Sequence, residues 1–240
     1  MFDKQDWMEQ FKALGVRKGM VIVLDGRLDQ IDYTVHQYNS FLDALLDSVS
    51  NEGTIVYASY HEDLIEPSYW QKDLPIHEYP KVRKQLASTT HQWPAHDLLA
   101  TTFLLRDDTF SKHHPAFTIM SIGKYARFMT RKIPLHFPSG EFSPMQSCYD
   151  LKAHILVMNE LSLQSYPFHF AISKKTQQPT IINGGVMIEE GVSRWQKHLD
   201  YKVSYTDMKL LFNEIDVDRK LKKIQVMSDQ LFLMSFEHLV

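Results

Sequence analysis

Short apolar runs alternate along this chain with segments whose apolar residues recur at helical spacing. The apolar runs have the length and composition of buried strands, at residues 20–24, 53–57, 119–122 and 155–158. The helical spacing is found at residues 5–14, 34–49 and 97–106. Helices that alternate with apolar strands pack in layers against a sheet, so the pattern predicts a layered α/β fold, organised as one domain over residues 1–240.

Three further segments carry weaker signals. Residues 61–96 are rich in Pro, Trp and His and predict a long loop with short helices, a kind of segment that is often functional. Within residues 179–195, Asn183-Gly184-Gly185 predicts a turn between two β-like segments. The tail, residues 207–240, predicts one charged helix and one apolar segment.

Composition narrows the function classes. The chain has 240 residues, 44% of them hydrophobic, and a formal net charge of −3, with Lys and Arg dispersed. No basic stripe predicts a nucleic-acid partner, and no polybasic or long apolar segment predicts a membrane partner. The first residues lack a signal-peptide pattern, and the single cysteine, Cys148, cannot form an internal disulfide. These features predict a cytoplasmic protein in which Cys148 is a buried small hydrophobe.

Standard chemical motifs are missing from the sequence. It contains no GxGxxG, phosphate loop, paired cysteines, His-Glu-x-x-His or Gly-x-Ser-x-Gly. His113 and His114 are adjacent, which is a poor spacing for chelation from one helix face. No metal site is therefore expected.

The segment at residues 165–172 carries the main chemical candidate. His169 lies there between Phe168 and Phe170, after the apolar run that ends at Met158. An imidazole in such surroundings is either a tuned proton acceptor or a packed core side chain, and the local sequence leaves both open.

Several blocks in order resemble the aminoglycoside 3-N-acetyltransferase family, which is distinct from the GCN5-related acetyltransferases. The blocks cover residues 15–19, 45–49, 52–56, 103–106, 113–118, 123–126, 138–145 and 168–171. The most specific are His113-His114-Pro115 and Gly140-Glu141-Phe142-Ser143-Pro144. The likeness is good over about residues 5–172 and looser in the tail.

The resemblance implies an α/β/α fold around a central mixed sheet, and transfer of an acetyl group from acetyl-coenzyme A to an amine by direct attack. In the family, a histidine after the corresponding strand acts as the general base, and His169 occupies that position. The expected partners are coenzyme A and a small-molecule amine acceptor. Aminoglycoside acceptors would imply antibiotic resistance.

The same resemblance implies a set of coenzyme-binding residues. The family loop His-Ser-Ser-Leu corresponds to residues 25–28, where only Leu28 matches and Arg27 is a candidate for a phosphate. The candidate coenzyme-binding residues are Arg27, Leu28, Lys112, His113, His114, Thr118 and Ser143.

Two departures from the family pattern bear on activity. The family places a glutamate three residues after the histidine, where this chain has Ile172. Asp25 stands where the family has a histidine, and it is the candidate to supply the missing carboxylate.

The second departure concerns the candidate acceptor region at 61–96, whose charge is nearly neutral and gives no strong attraction for a polycation. Its acidic residues are Glu62, Asp63, Glu66, Asp73 and Glu78, and its basic residues are Lys72, Lys81, Arg83 and Lys84.

Three hypotheses follow. The first is a coenzyme A-dependent N-acetyltransferase for an unidentified amine, which could be aminoglycoside-like, with His169 as base. The second is a catalytically lapsed relative that binds coenzyme A or another ligand without turnover. The third is an unrelated α/β binding protein. The sequence does not determine the oligomeric state.

Overall fold

The computed structural model describes residues 2–26, 28, 34–61, 64–69, 73–88, 97–159, 161–162, 164–218 and 220–240. Its helices are α1 Lys4–Leu14, α2 Val35–Val49, α3 Tyr79–Ser88, α4 Leu98–Leu104, α5 Ala126–Thr130, α6 Pro144–Asp150, α7 Tyr166–Lys175 and α8 Tyr205–Val217. Its strands are β1 Val21–Gly26, β2 Thr54–Tyr60, β3 Phe110–His114, β4 Phe117–Gly123, β5 His154–Met158, β6 Thr180–Glu189, β7 Val192–Tyr201, β8 Lys222–Val226 and β9 Asp229–Ser235.

Seven of these strands form one mixed sheet in the order β3-β4-β2-β1-β5-β9-β8. The central strand β1 runs parallel to both β2 and β5, and the outer pairs are antiparallel. All six residues of β1 are buried, as expected for a strand covered on both faces. The carboxyl ends of β1, β2 and β5 therefore lie at the same edge of the sheet.

Helices cover both faces of this sheet. Successive residues of β1 point to opposite faces, so the strand contributes to two separate cores. Ile22 and Leu24 pack in a core with α1, α2 and α4, whereas Val21 and Val23 pack in a second core with α5 to α8. The fold is thus α/β/α around a central mixed sheet. Cys148 is fully buried in the second core, as predicted.

Local sequence signals account for the first helices. Asp3 caps α1 through a reciprocal capping box with Asp6, and Gly15 ends the helix with a φ of 97°. Thr34 and Gln37 form the same kind of box at the start of α2. None of the described helices has the length and apolar character needed to cross a membrane.

Strands β6 and β7 form a separate two-stranded hairpin. It joins the rest of the molecule where the Val186 N–H donates to the carbonyl of Leu64 at 2.9 Å and Ile65 bridges Gly185. The hairpin therefore lies over the edge at which β2 ends.

The turn predicted at Asn183-Gly184-Gly185 is wrong. These residues lie inside β6, and the hairpin turns at Glu190 and Gly191. The glycines are required by close packing instead. A Cβ on Gly184 would lie 2.7 Å from the Trp195 ring, and one on Gly185 would lie 2.2 Å from the carbonyl oxygen of Pro115.

Candidate active site

A cavity of about 430 Å³ lies between the β6–β7 hairpin and the start of α7. Its walls come from the end of β2, from residues 65–68, from the turn after Phe137, from the beginning of α7 and from the hairpin. Its polar lining residues include Tyr60, Glu66, Ser68, Ser139, Gln164, Tyr166, His169, Asn183, His198, Asp200, Tyr201 and Lys202. The volume is in the range of small-molecule sites.

His169 reaches this cavity from the first turn of α7. Helix α7 begins after Ser165, with Pro167 near its start, where a proline costs no hydrogen bond. The ring nitrogen Nδ1 lies 2.8 Å from the hydroxyl of Ser139, and Nε2 bonds to none of the described residues. Burial lowers the pKa of His169 to about 4. The imidazole is therefore neutral at pH 7, oriented at one nitrogen and free at the other.

Ser139 is itself held in the turn that precedes α6. It is buried, and the hydroxyl of Tyr166 donates to the neighbouring Pro138 carbonyl at 2.6 Å. Ile172, the residue at the family's glutamate position, is packed in the second core and does not line the cavity. The partner that orients His169 is thus a hydroxyl group and not a carboxylate on α7.

Strand β7 forms another part of the cavity wall. His198 and Asp200 are two residues apart, so they face the same side of the strand, and both line the cavity. His198 is 2% exposed, and burial lowers its pKa to about 4. Burial raises the pKa of Asp200 to about 7, against a hydrogen bond that Oδ1 accepts from the N–H of Tyr201 at 2.8 Å.

The remaining charges near the cavity are partly neutralised. Glu66 forms a two-point ion pair with Arg83, whose guanidinium carbon lies 5.8 Å from the centre of the Trp195 ring. Burial, together with the nearby carboxylates of Asp200 and Asp25, raises the pKa of Tyr60 well above its usual range. Tyr60 is therefore a neutral hydroxyl at physiological pH.

Asp25 lies at the end of β1, opposite Val157 of β5, and is 4% exposed. It is not among the residues that line the cavity. Its oxygen Oδ2 is buried without a hydrogen-bond partner among the described residues. Burial raises the pKa of Asp25 to about 7, while Ser165 and the backbone of Ser162 and Gly26 act in the opposite direction.

Two candidate coenzyme residues belong to a chain of hydrogen bonds behind the hairpin. His113 Nε2 donates to the carbonyl of Val186 at 3.1 Å, so Nδ1 accepts the hydroxyl proton of Thr118 at 2.9 Å. The oxygen of Thr118 then accepts from His61 Nε2 at 3.0 Å. The rings of His61 and His113 are stacked, with their centres 4.5 Å apart. We call His61, Thr118 and His113 the histidine chain.

The other candidates are dispersed. His114 is buried with both nitrogens satisfied, since Nε2 donates to the Leu135 carbonyl and Nδ1 accepts from the Ala116 N–H, each at 3.1 Å. Leu28 packs in the first core, and Ser143 caps α6 through the N–H of Gln146. Arg27 lies outside the described residues.

Lys112 and His113 line a second cleft, of about 780 Å³, on the outer side of the hairpin. Glu189, Glu190 and Arg194 also line it, and Arg194 is paired with Glu189 at 2.7 Å. Residues 110–114 form the end strand β3 of the sheet, so the side chains of Lys112 and His113 point to opposite faces.

Ser139, His198 and Asp200 were missed as site residues by sequence reasoning. Ser139 lies in the Pro-Ser-Gly-Glu block that carries the family resemblance. His198-x-Asp200 has strand spacing, but no local signal shows that it lines the same cavity as His169. Among the described residues, no group of three or more His, Cys, Asp or Glu side chains is arranged to hold a metal ion.

Comparisons with known proteins extend this description. A family model described as aminoglycoside 3-N-acetyltransferase matches residues 24–240. The SPbeta prophage-derived aminoglycoside N(3')-acetyltransferase-like protein YokD of Bacillus subtilis (strain 168) is 26% identical over 200 residues, which are 81% of this chain and 74% of YokD.

Solved structures share the fold. The crystal structure of YokD has a TM-score of 0.84 at 24% identity, covering 100% of this chain and 96% of its own. The structure of aminoglycoside acetyltransferase AAC(3)-Xa has a TM-score of 0.79 at 17% identity, covering 99% and 90%. That of AAC-IIIb, described as a binary complex with CoASH, has a TM-score of 0.76 at 14% identity, covering 99% and 93%.

Proposed function

The chain belongs to the aminoglycoside 3-N-acetyltransferase family, and we propose that it transfers the acetyl group of acetyl-coenzyme A to an amine bound in the cavity, with His169 as general base. Membership of this family excludes the hypothesis of an unrelated binding protein. We propose further that the protein is cytoplasmic, as its composition predicts.

One observation carries the proposal. His169 presents an imidazole that is neutral, bonded to Ser139 at Nδ1 and free at Nε2, on the wall of the cavity. A base needs a lone pair within reach of the attacking amine, and a ring anchored at one nitrogen holds the other in a fixed direction. In the tautomer whose Nδ1–H donates to Ser139, the lone pair lies on Nε2, and the pKa of about 4 keeps the ring neutral at physiological pH.

The residues around the cavity fit the reactive end of the coenzyme. The AAC-IIIb structure is described with CoASH, and this chain has the same fold. Acetyl-coenzyme A supplies an activated thioester. Apolar side chains such as Phe117, Ile182 and Met208 line the cavity beside His169 and would exclude water from it.

The chain's own groups then divide the work. His169 accepts at Nε2 the proton that the amine loses as its nitrogen attacks, and it passes that proton to the departing thiolate. Ser139 orients the ring through its hydrogen bond at Nδ1. No carboxylate supports the imidazolium from position 172, so the charged state of His169 is less stabilised than in relatives with the family's glutamate.

A thiol-release assay with acetyl-coenzyme A and a panel of amines tests the proposal. We expect release of coenzyme A with at least one amine, and loss of that release in His169→Ala, while calorimetry shows unchanged coenzyme binding. His238→Ala is the matched control, because His238 is an exposed histidine in the 3₁₀ turn that follows β9. Normal turnover by His169→Ala would refute the assignment of the base.

Ile172 supports a second candidate, a lapsed member that binds coenzyme A without turnover. An apolar residue at the family's glutamate position removes the acid that charges the histidine, and loss of such an acid costs a few orders of magnitude in rate. The lapsed protein would bind coenzyme A, release no thiol with any amine, and gain nothing from Ile172→Glu. Activity that appears or increases in Ile172→Glu would favour the enzyme.

A further inference from the structure

The cavity lining includes a histidine, His198, whose two ring nitrogens form no hydrogen bond within the described structure. Both ring nitrogens of His198 are buried without a hydrogen-bond partner among the described residues. Such groups are costly, because burial removes the water that would otherwise satisfy them. His198 is 2% exposed and is among the residues that line the cavity.

Neighbouring side chains cannot satisfy His198. The His114 ring lies edge-on to it, with centres 4.9 Å apart, but both nitrogens of His114 are already bonded to the backbone. His136 Nδ1 accepts from the N–H of Leu199. A neutral imidazole has one donor and one acceptor, which is the complement of a hydroxyl group.

Asp200 lies on the same face of β7, two residues away, and its carboxylate accepts one hydrogen bond from the Tyr201 backbone. Glu66, the other carboxylate of the described lining, is paired with Arg83, and Lys202 adds a positive charge nearby. The described wall therefore offers one carboxylate for one ammonium group, next to one imidazole.

We propose that His198 and Asp200 form a subsite for a hydroxylated monoamine, in which Asp200 binds the ammonium group and His198 hydrogen-bonds the adjacent hydroxyl. The inference rests on the proposed function, because it names the acceptor class of the same cavity. An amino alcohol with a single ammonium matches both groups, and that ammonium must release one proton, to Asp200 or to water, before its nitrogen can attack the thioester. A polycation would place its further charges against Lys202 and the Glu66–Arg83 pair.

Binding of four matched probes tests this subsite without any chemistry. The probes are trans-2-aminocyclohexanol, cyclohexylamine, cyclohexanol and trans-cyclohexane-1,2-diamine, titrated by ligand-observed NMR with and without CoASH. We expect the amino alcohol to bind about three- to tenfold more tightly than each of the other three, the range expected for one hydrogen bond or charge pair.

Two variants assign the groups. Asp200→Asn is expected to lose the preference for the amino alcohol over cyclohexanol, and His198→Phe the preference over cyclohexylamine. In the unaltered protein, the amino alcohol should shift the ¹⁵N resonances of the His198 ring and cyclohexylamine should not, a measurement that does not depend on variant folding.

Equal affinities for the four probes, or unmoved His198 resonances, would overturn the subsite. Its failure is separable from that of the proposed function. Selective binding without thiol release would retain the subsite and refute the transferase, whereas thiol release without this selectivity would do the reverse.

Discussion

The histidine chain and the cavity hold buried imidazoles of the same charge state but opposite hydrogen-bond status. Burial lowers the pKa of His113 in the chain and of His169 and His198 in the cavity, so all three are neutral at pH 7. His113 has a partner at each nitrogen, whereas His169 has one partner and His198 has none among the described residues. Burial and charge alone therefore do not distinguish these three histidines, whereas their unused hydrogen-bonding capacity does.

The largest expected effect is a loss of turnover on substitution in the cavity, which the histidine chain should not share. His169→Ala should lower turnover by about 10²- to 10⁴-fold, the usual contribution of a general base, because the free lone pair is lost. The free energy of unfolding should change little, since the ring makes one side-chain hydrogen bond and is half-buried. The checks are the thiol-release rate and urea denaturation of the same preparation. A large loss of stability with retained turnover would reverse the comparison.

Asp25 is a buried carboxyl group outside the cavity, and its Oδ2 has no hydrogen-bond partner among the described residues. Its folded-state pKa, about 7, lies above the usual value of 3.8, so its contribution to stability is lost as pH rises through that range. Asp25→Asn should therefore unfold with a free energy up to about 4 kcal/mol higher at pH 8.

Urea denaturation at pH 8 and at pH 4 measures that difference, which should fall below about 1 kcal/mol at the lower pH, where the folded carboxyl is protonated and the unfolded one, with a pKa of 3.8, is only partly ionised. A variant that is less stable than the unaltered protein at pH 8 would contradict the prediction. It would instead indicate that the ionised carboxylate is needed beside Ser165.

Removal of an imidazole that is hydrogen-bonded at both nitrogens, such as that of His114, should lower the free energy of unfolding. His114→Phe leaves the Leu135 carbonyl and the Ala116 N–H unpaired, at a cost of about 1–3 kcal/mol for each group. Burial lowers the pKa of His114 to about 3, so the unaltered protein loses stability as pH falls below about 6.5, where the unfolded chain takes up the proton first. The variant should lose less over that range.

Urea midpoints at pH 7 and pH 5 test both parts of that prediction, with His238→Phe as the exposed control, which should stay within about 0.5 kcal/mol. Unchanged stability of His114→Phe at pH 7 would show that these backbone groups find other partners.

The smallest effect concerns the group that orients the base. Ser139→Ala removes the hydroxyl 2.8 Å from His169 Nδ1, and turnover should fall by about tenfold, which corresponds to one hydrogen bond. Steady-state kinetics should place the loss in kcat and leave KM for acetyl-coenzyme A unchanged. A loss confined to KM would indicate that Ser139 binds the coenzyme and does not position the ring.

Much of the sheet could be predicted from the sequence, because its strands are short apolar runs and its helices begin and end with local signals. The apolar run at residues 20–24 became β1, and Gly15 ends α1 as its position indicated. Strand β3 escaped prediction because, as an end strand with exposed residues, it has no apolar run. The turn predicted at Asn183-Gly184-Gly185 was wrong because glycine is common both in turns and where a strand packs closely against its neighbours.

The candidate site was predicted in part. His169 was named from its block, and the structure places it in the cavity. Leu28 and Ser143, which were named in the same way, pack in the core or cap a helix, while Lys112 lines a different cleft. Whether any of these contacts the coenzyme is still a prediction.

The sequence by itself determined the apolar strands of the sheet, its first helices and the family, because these depend on periodicity and on blocks of adjacent residues. Only the tertiary structure decided that His198 and Asp200 line the same cavity as His169, since that depends on how the hairpin docks at Leu64 and Val186. Such a contact joins residues far apart in the chain. It leaves no local pattern, because the packing that produces it is chosen by the whole fold.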